Sequence, residues 1–166
     1  MMKKICLFLT LVAAFGCSNA QNNPASKAQT GIPPFRILTT DSVNMTPTDL
    51  KKNMPLMIIY FSPDCSHCQH LMYELKPKMA DLKHVQVVMV TFAEPLKASQ
   101  VFYRDFDLKK YPNFTVGTEG YTYVVQKYYD VHSTPYIALY DKSHKLVKAW
   151  DKTPPIDELV DEAKKL

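Results

Sequence analysis

The stretch Phe61-Ser-Pro-Asp-Cys65-Ser-His-Cys68-Gln-His70 sets two cysteines two residues apart. The run before it, Pro55 to Phe61, is continuously apolar and reads as a buried strand. After it, Leu71, Leu75, Met79 and Leu82 recur at three to four residues, with Met72 beside them, which is helical spacing. The pair therefore falls where a strand ends and a helix begins. Cys65 is predicted near the helix N-terminus, where unpaired N–H groups and the positive end of the dipole favour an anion. A thiolate forms more readily there than in a free cysteine, and the thiolate is the reactive species. A C-x-x-C opening a helix in an α/β pattern reads as a redox pair.

The 166 residues suit one globular domain plus a leader. The formal charge is +4, two units of which are Lys3 and Lys4 of the leader. Basic residues are scattered along the sequence, so no nucleic-acid partner is expected. Met1 to Lys4 form a positive n-region, and Ile5 to Phe15 an apolar h-region too short to span a bilayer. Two cleavage sites compete. Ala14-Phe15-Gly16-Cys17 is a loose lipobox that would leave Cys17 as the lipidated first residue. Ser18-Asn19-Ala20 is a small-x-small site with cleavage before Gln21. The lipobox is preferred, because a cysteine directly after an h-region is the more specific signal. The expected division is a signal peptide over 1–17 (alternative end at 20), a flexible tether over 18–34 and a domain over 35–166. The expected product is an exported, periplasmic protein held at the membrane by its lipid, or soluble in the periplasm if cleavage falls after Ala20. Either cleavage leaves Cys65 and Cys68 as the only cysteines of the domain, and a purely structural disulfide across so small a loop stabilises little.

Further out, Phe35 to Thr39 is predicted as a short strand and Thr46 to Leu50 as a capped helix start with Pro47 in its first turn. The main helix, Cys65 to about His84, should kink at Pro77. Val85 to Phe92 is Val-rich enough for the middle of a parallel sheet. Glu94 to Leu108 is predicted helical with Leu96, Phe102 and Phe106 inward. Tyr111 to Val116 reads as a short strand, and Glu119 to Tyr129 as a helix whose tyrosines pack. Tyr136 to Tyr140 and Lys145 to Trp150 form a hairpin around Asp141 to His144. Pro155 to Leu166 closes the chain as a helix. The alternation implies an α/β fold, a mixed central sheet with helices on both faces.

With these elements in place, the chain resembles the thioredoxin-fold family, and within it the TlpA/ResA branch of exported thiol–disulfide proteins. Cys65-Ser-His-Cys68 after the strand, Ser133-Thr134-Pro135 before the late strand, and the strand–helix insertion from Tyr111 to Val131 carry the resemblance. The insertion leads into Tyr129-Asp-Val131-His-Ser-Thr134-Pro135, similar to that branch's Y-x-V-x-x-T-P. The resemblance spans Phe35 to Leu166. It implies a redox-active Cys65–Cys68 disulfide, a cis peptide at Pro135, and a Thr134 backbone free to pair with an extended substrate. It implies no cofactor, and as partners protein thiols or disulfides and a membrane electron donor. The chain departs from the family at four places. Tyr60 to Asp64 replace the usual tryptophan context, and Ile59 stands where thioredoxin has a buried aspartate. Leu71 stands where the branch often has a glutamate, and Pro77 lies later than usual. Glu74 reads as an exposed helix residue rather than a substitute acid.

Cys65 is the expected nucleophile and Cys68 the resolving thiol. His67, Thr134 and Pro135 are the expected tuning residues. His67 would favour the thiolate, and Asp64 would oppose it. His70 reads as a surface histidine. No metal is expected. The competing class is a copper- or zinc-binding module built on Cys65, Cys68, His67 and His70, with His132 the one further ligand the fold would bring near. Within the enzyme class, reduction of partner disulfides is favoured over oxidation or isomerisation of thiols. No peroxidatic Pro-x-x-x-Thr-x-x-Cys pattern precedes Cys65.

Overall fold

The computed structural model describes residues 31–92 and 95–166; the expected leader, Cys17 and the tether as far as residue 30 lie outside the described residues. Seven strands make one sheet: β1 (Ile37–Thr39), β2 (Asn44–Met45), β3 (Leu56–Tyr60), β4 (Gln86–Thr91), β5 (Phe114–Thr118), β6 (Tyr136–Tyr140) and β7 (Leu146–Trp150). Their spatial order is β2-β1-β5-β4-β3-β6-β7. The centre, β3, β4 and β5, is parallel, and both flanks are antiparallel. Every residue of β3 and β4 is buried. That is why their sequences are unbroken apolar or Val-rich runs rather than alternations.

The helices among the described residues are α1 (Ser66–Leu75), α2 (Leu96–Asp105), α3 (Val124–Tyr129) and α4 (Ile156–Lys164). One core cluster joins Met57, Ile59 and Met89 of the sheet to Leu71, Met72 and Leu75 of α1, Phe102 of α2, and Leu159, Val160 and Ala163 of α4. The other joins Ile58, Tyr60, Val88 and Val90 to Phe35, Ile37, Leu50 and Val125 of α3. Alternate strand residues thus feed opposite layers, and helices lie on both faces as expected. Each fully buried leucine or methionine contributes about 1.5–3 kcal/mol of transfer free energy. Among the described residues no helix is long and apolar enough to cross a membrane.

The main helix, α3 and β5 each differ from expectation in extent. The main helix ends at Leu75 and continues over Lys76–Leu82 as 3-10 turns. Pro77 has no N–H to give and its ring crowds the carbonyl four residues back, so the break is sharper than a kink. Val124–Tyr129 is the whole of α3, because Tyr123 turns left-handed (φ 51°) after a 3-10 turn at Gly120–Thr122. The carboxylate of Glu119 accepts the Val125 N–H at 2.9 Å and takes the place of a preceding helical turn. The expected strand from Tyr111 begins only at Phe114. Asn113 is drawn off instead, donating to the carbonyls of Leu82 and Val85, each at 2.9 Å.

The last residues assigned to the tether lie against the domain. Ile32 packs on the second cluster, and the Gly31 carbonyl accepts the Tyr128 hydroxyl at 2.6 Å and the Tyr140 hydroxyl at 3.2 Å.

Candidate active site

Strand pairing assembles the site before any side chain does. Tyr60, the last residue of β3, pairs with Tyr136, the first of β6, and Ile137 pairs with Trp150, the last of β7. The segment after β3, the segment before β6 and the segment after β7 therefore meet at one end of the sheet. They carry Cys65, Thr134–Pro135 and Lys152–Thr153. The chain reaches Cys65 by a turn in which the Cys65 N–H donates to Ser62 O at 3.2 Å. The Gln69 side chain donates to Pro63 O at 2.8 Å and pins that turn to the first turn of α1.

Cys65 is the N-cap of α1: its backbone is extended (φ −77°, ψ 117°) and its carbonyl accepts the first helical bond, from Gln69 N–H at 3.0 Å. A side chain at this position faces the N–H groups two and three residues on. Here these belong to His67 and Cys68. Burial alone pushes the Cys65 thiol up. The Thr134 side chain, the Cys68 thiol and the N–H groups of Cys68 and His67 together outweigh it, and Cys65 falls below its ordinary value of 9.0. In the protonated form the thiol donates to the Thr134 carbonyl at 3.4 Å. That carbonyl can accept only from the thiol and so opposes ionisation.

Cys68, one turn on, is only 1% exposed and belongs to the first core cluster with Leu71 and Met72. Burial first, and then the Cys65 thiol, push its thiol up to about 12 against a partial offset from the Ser62 backbone. Both cysteines are free thiols. The Thr134–Pro135 peptide is cis.

The other expected residues separate. His67 is exposed and reaches Cys65 through its backbone N–H, and it lines a groove with Ser133, Thr134, Pro135, Lys152 and Thr153. His70 is exposed and pairs with Glu74 at 3.4 Å, and His132 pairs with Asp130 at 3.3 Å at the surface. Among the described residues no three His, Cys, Asp or Glu side chains are grouped to hold a metal.

Sequence reasoning missed a buried carboxylate. Glu119 is 4% exposed, held by the Val125 N–H and the Thr122 hydroxyl, and the Tyr60 hydroxyl faces it without a hydrogen-bond partner of its own. Burial and the Glu119 charge hold the Tyr60 phenol well above its ordinary range. The signal is an acid directly following a strand, at Thr118-Glu119-Gly120, which the expected helix from Glu119 to Tyr129 takes in as its first residue. Lys152 and Thr153 were also missed; only the β7 register places them beside Thr134.

Sheet order, the C-x-x-C at the start of α1 and the cis-proline before β6 define a thioredoxin-like fold. Solved structures agree. A secreted Mycobacterium tuberculosis disulfide oxidoreductase homologous to E. coli DsbE superposes with a TM-score of 0.67 at 20% identity, over 80% of this chain and 96% of that one. Copper-bound ScoI of Arabidopsis thaliana gives 0.64 at 17% identity, over 82% and 96%. The exposed lipoprotein thioredoxin of Streptococcus pneumoniae gives 0.59 at 21% identity, over 80% and 98%. No family model matches the chain, and no curated protein matches it by sequence.

Proposed function

We propose that this protein is an exported thiol–disulfide oxidoreductase that reduces disulfides of partner proteins. The observation that carries the proposal is the inequality of the two thiols. Cys65 is accessible at a helix N-cap and inclined to ionise, whereas Cys68 is buried and holds its proton. The Cys65 thiolate attacks one sulfur of the partner disulfide, a mixed disulfide forms, and the other partner sulfur leaves as a thiolate that takes a proton. Cys68 then loses its proton and attacks the Cys65 sulfur. The second partner thiol is released and the Cys65–Cys68 disulfide remains. Two electrons pass from the pair to the partner, so a second dithiol, on a membrane donor in this proposal, must restore it. Cys17 lipidation and anchoring at the membrane belong to the same proposal; the secreted and lipoprotein neighbours lend it support.

The reduction potential of the pair, by equilibration with dithiothreitol or glutathione, tests the direction. A value near about −270 mV supports a reductase, and one near about −120 mV overturns that direction in favour of a thiol oxidase.

Copper-bound ScoI favours a second reading, Cu(I) bound by Cys65 and Cys68. Stoichiometric, chelator-resistant Cu(I) uptake by the reduced protein, lost in Cys68→Ser, would support it.

A further inference from the structure

The end of the sheet opposite Cys65 carries a groove of its own. Cys65 follows the last residue of β3, whereas Lys51 and Met54 precede its first; Lys83 precedes β4, and Lys110 and Tyr111 precede β5. These residues and the buried Met79 line one groove of about 360 Å³. Two side-chain amides fix its frame. Gln86 accepts the Lys51 N–H at 2.9 Å and donates to the carbonyls of Lys51 at 3.0 Å and Met54 at 3.2 Å. Asn113 ties the loop before β5 to the carbonyls of Leu82 and Val85.

The groove is cationic over an apolar wall, and no acid lines it. Lys51, Lys83 and Lys110 are exposed, and among the described residues Lys51 and Lys83 make no ion pair. The acids beyond the rim are each divided among several lysines. Asp107 meets Lys76 at 3.0 Å and Lys110 at 3.6 Å. Asp81 meets Lys164 at 2.9 Å and also feels the charges of Lys78 and Lys83. The whole chain carries a formal charge of only +4, so the excess here is local rather than general. The chain also enters the domain from this side. The carbonyl of Gly31, the first described residue, accepts the Tyr140 hydroxyl, and Tyr140 pairs with Leu56 at the start of β3.

We propose that this groove seats the domain on an anionic lipid surface, with the three ammonium groups on lipid phosphates and Met54 and Tyr111 at the headgroup boundary. Lysine stems lie along apolar surface while their charges reach out, and a tyrosine has one apolar and one wet end. The inference rests on the membrane anchoring proposed above and adds its orientation: Cys65 faces away from the bilayer, and its disulfide substrates approach from the water.

Residues 18–166, which carry no lipid, are sedimented with vesicles of phosphatidylcholine alone or of equal parts phosphatidylcholine and phosphatidylglycerol. The protein should bind the second kind only and be released as salt rises. Loss of two lysines from such a contact, in Lys51→Glu/Lys83→Glu, should lower binding roughly thirty-fold or more. Lys97→Glu/Lys152→Glu makes the same change of net charge near Cys65, in the grooves lined by Asp64 and by Thr134, and should retain most of the binding. Circular dichroism melts establish that each variant is folded. No binding to the anionic vesicles, or equal losses in the two double variants, would overturn the inference. Palmitate labelling of the full-length chain, lost in Cys17→Ser, reads the anchor separately, so either can fail without the other.

Discussion

The Cys65 thiol and the Thr134 carbonyl, 69 residues apart in the chain, meet at 3.4 Å. That contact is possible because β3 and β6 are antiparallel neighbours in register at Tyr60 and Tyr136. The Cys65 thiol and the loop opposite it are thus set by the sheet, and their electrostatics can be tested one group at a time.

The two thiols should titrate separately. Thiolate reacts with iodoacetamide and thiol does not, so the rate follows the ionised fraction upward with pH. Cys65 lies below 9.0 and Cys68 at about 12. In Cys68→Ser the alkylation rate should inflect below pH 9.0. In Cys65→Ser the folded protein should stay essentially unreactive at pH 8. Mass spectrometry of the alkylated chain reads both, and labelling of Cys68 at neutral pH in folded protein would refute the ordering.

Thr134→Val keeps the β-branched shape and the carbonyl but removes the hydroxyl. The side-chain support for the thiolate is lost while the carbonyl that favours the thiol stays. Hydrogen bonds to charged groups contribute about 1.5–3 kcal/mol. The Cys65 thiolate absorbance at 240 nm should therefore appear at higher pH, and alkylation at pH 7 should slow roughly ten-fold. An unchanged titration would assign the tuning to the helix N–H groups and the Cys68 thiol.

Glu119 and Tyr60 should respond oppositely. Glu119→Ala leaves the buried Val125 N–H without its acceptor and should cost about 1–3 kcal/mol. Glu119→Gln keeps an oxygen there and should cost less. Tyr60→Phe removes a buried hydroxyl that has no partner, so it should be neutral or slightly stabilising. Urea unfolding curves measure all three. A loss above about 1 kcal/mol in Tyr60→Phe would mean the hydroxyl does bond Glu119.

Gly117 sits where β5 pairs with β1, opposite Thr39. A Cβ there would come within 2.8 Å of the Leu38 carbonyl oxygen, which is backbone and cannot swing aside. Gly117→Ala should therefore cost roughly 1–3 kcal/mol as β1 is pushed off the sheet. A lowered midpoint with faster amide exchange in Ile37–Thr39 is the expected signature.

Much of this fold was legible because its signals are local. Leu56–Tyr60 and Gln86–Thr91 are buried on both faces, and such strands advertise themselves as apolar runs. The cysteine pair was legible because its spacing alone sets it in the first turn of α1. What escaped was set by register between distant segments. Lys152 and Thr153 look like an ordinary polar stretch after a hairpin until Ile137 is paired with Trp150. Lys51, Lys83 and Lys110, scattered in the sequence, line one groove with Met54 and Tyr111. Glu119 escaped because the helical spacing from Glu119 to Tyr129 places it at the start of a helix, whereas its carboxylate in fact replaces a helical turn.

Cys68 is a member of the hydrophobic core and, in the function proposed above, also one terminal of the redox couple. Folding and electron transfer then close a thermodynamic cycle. Any difference in stability between the dithiol and disulfide forms must equal the difference between the potential of the folded pair and that of the same two cysteines in the unfolded chain. For a two-electron couple, about 1.4 kcal/mol corresponds to about 30 mV. A packing change around Leu71, Met72 or Leu75 that favours one form over the other is therefore also a change of voltage, made without touching a sulfur atom.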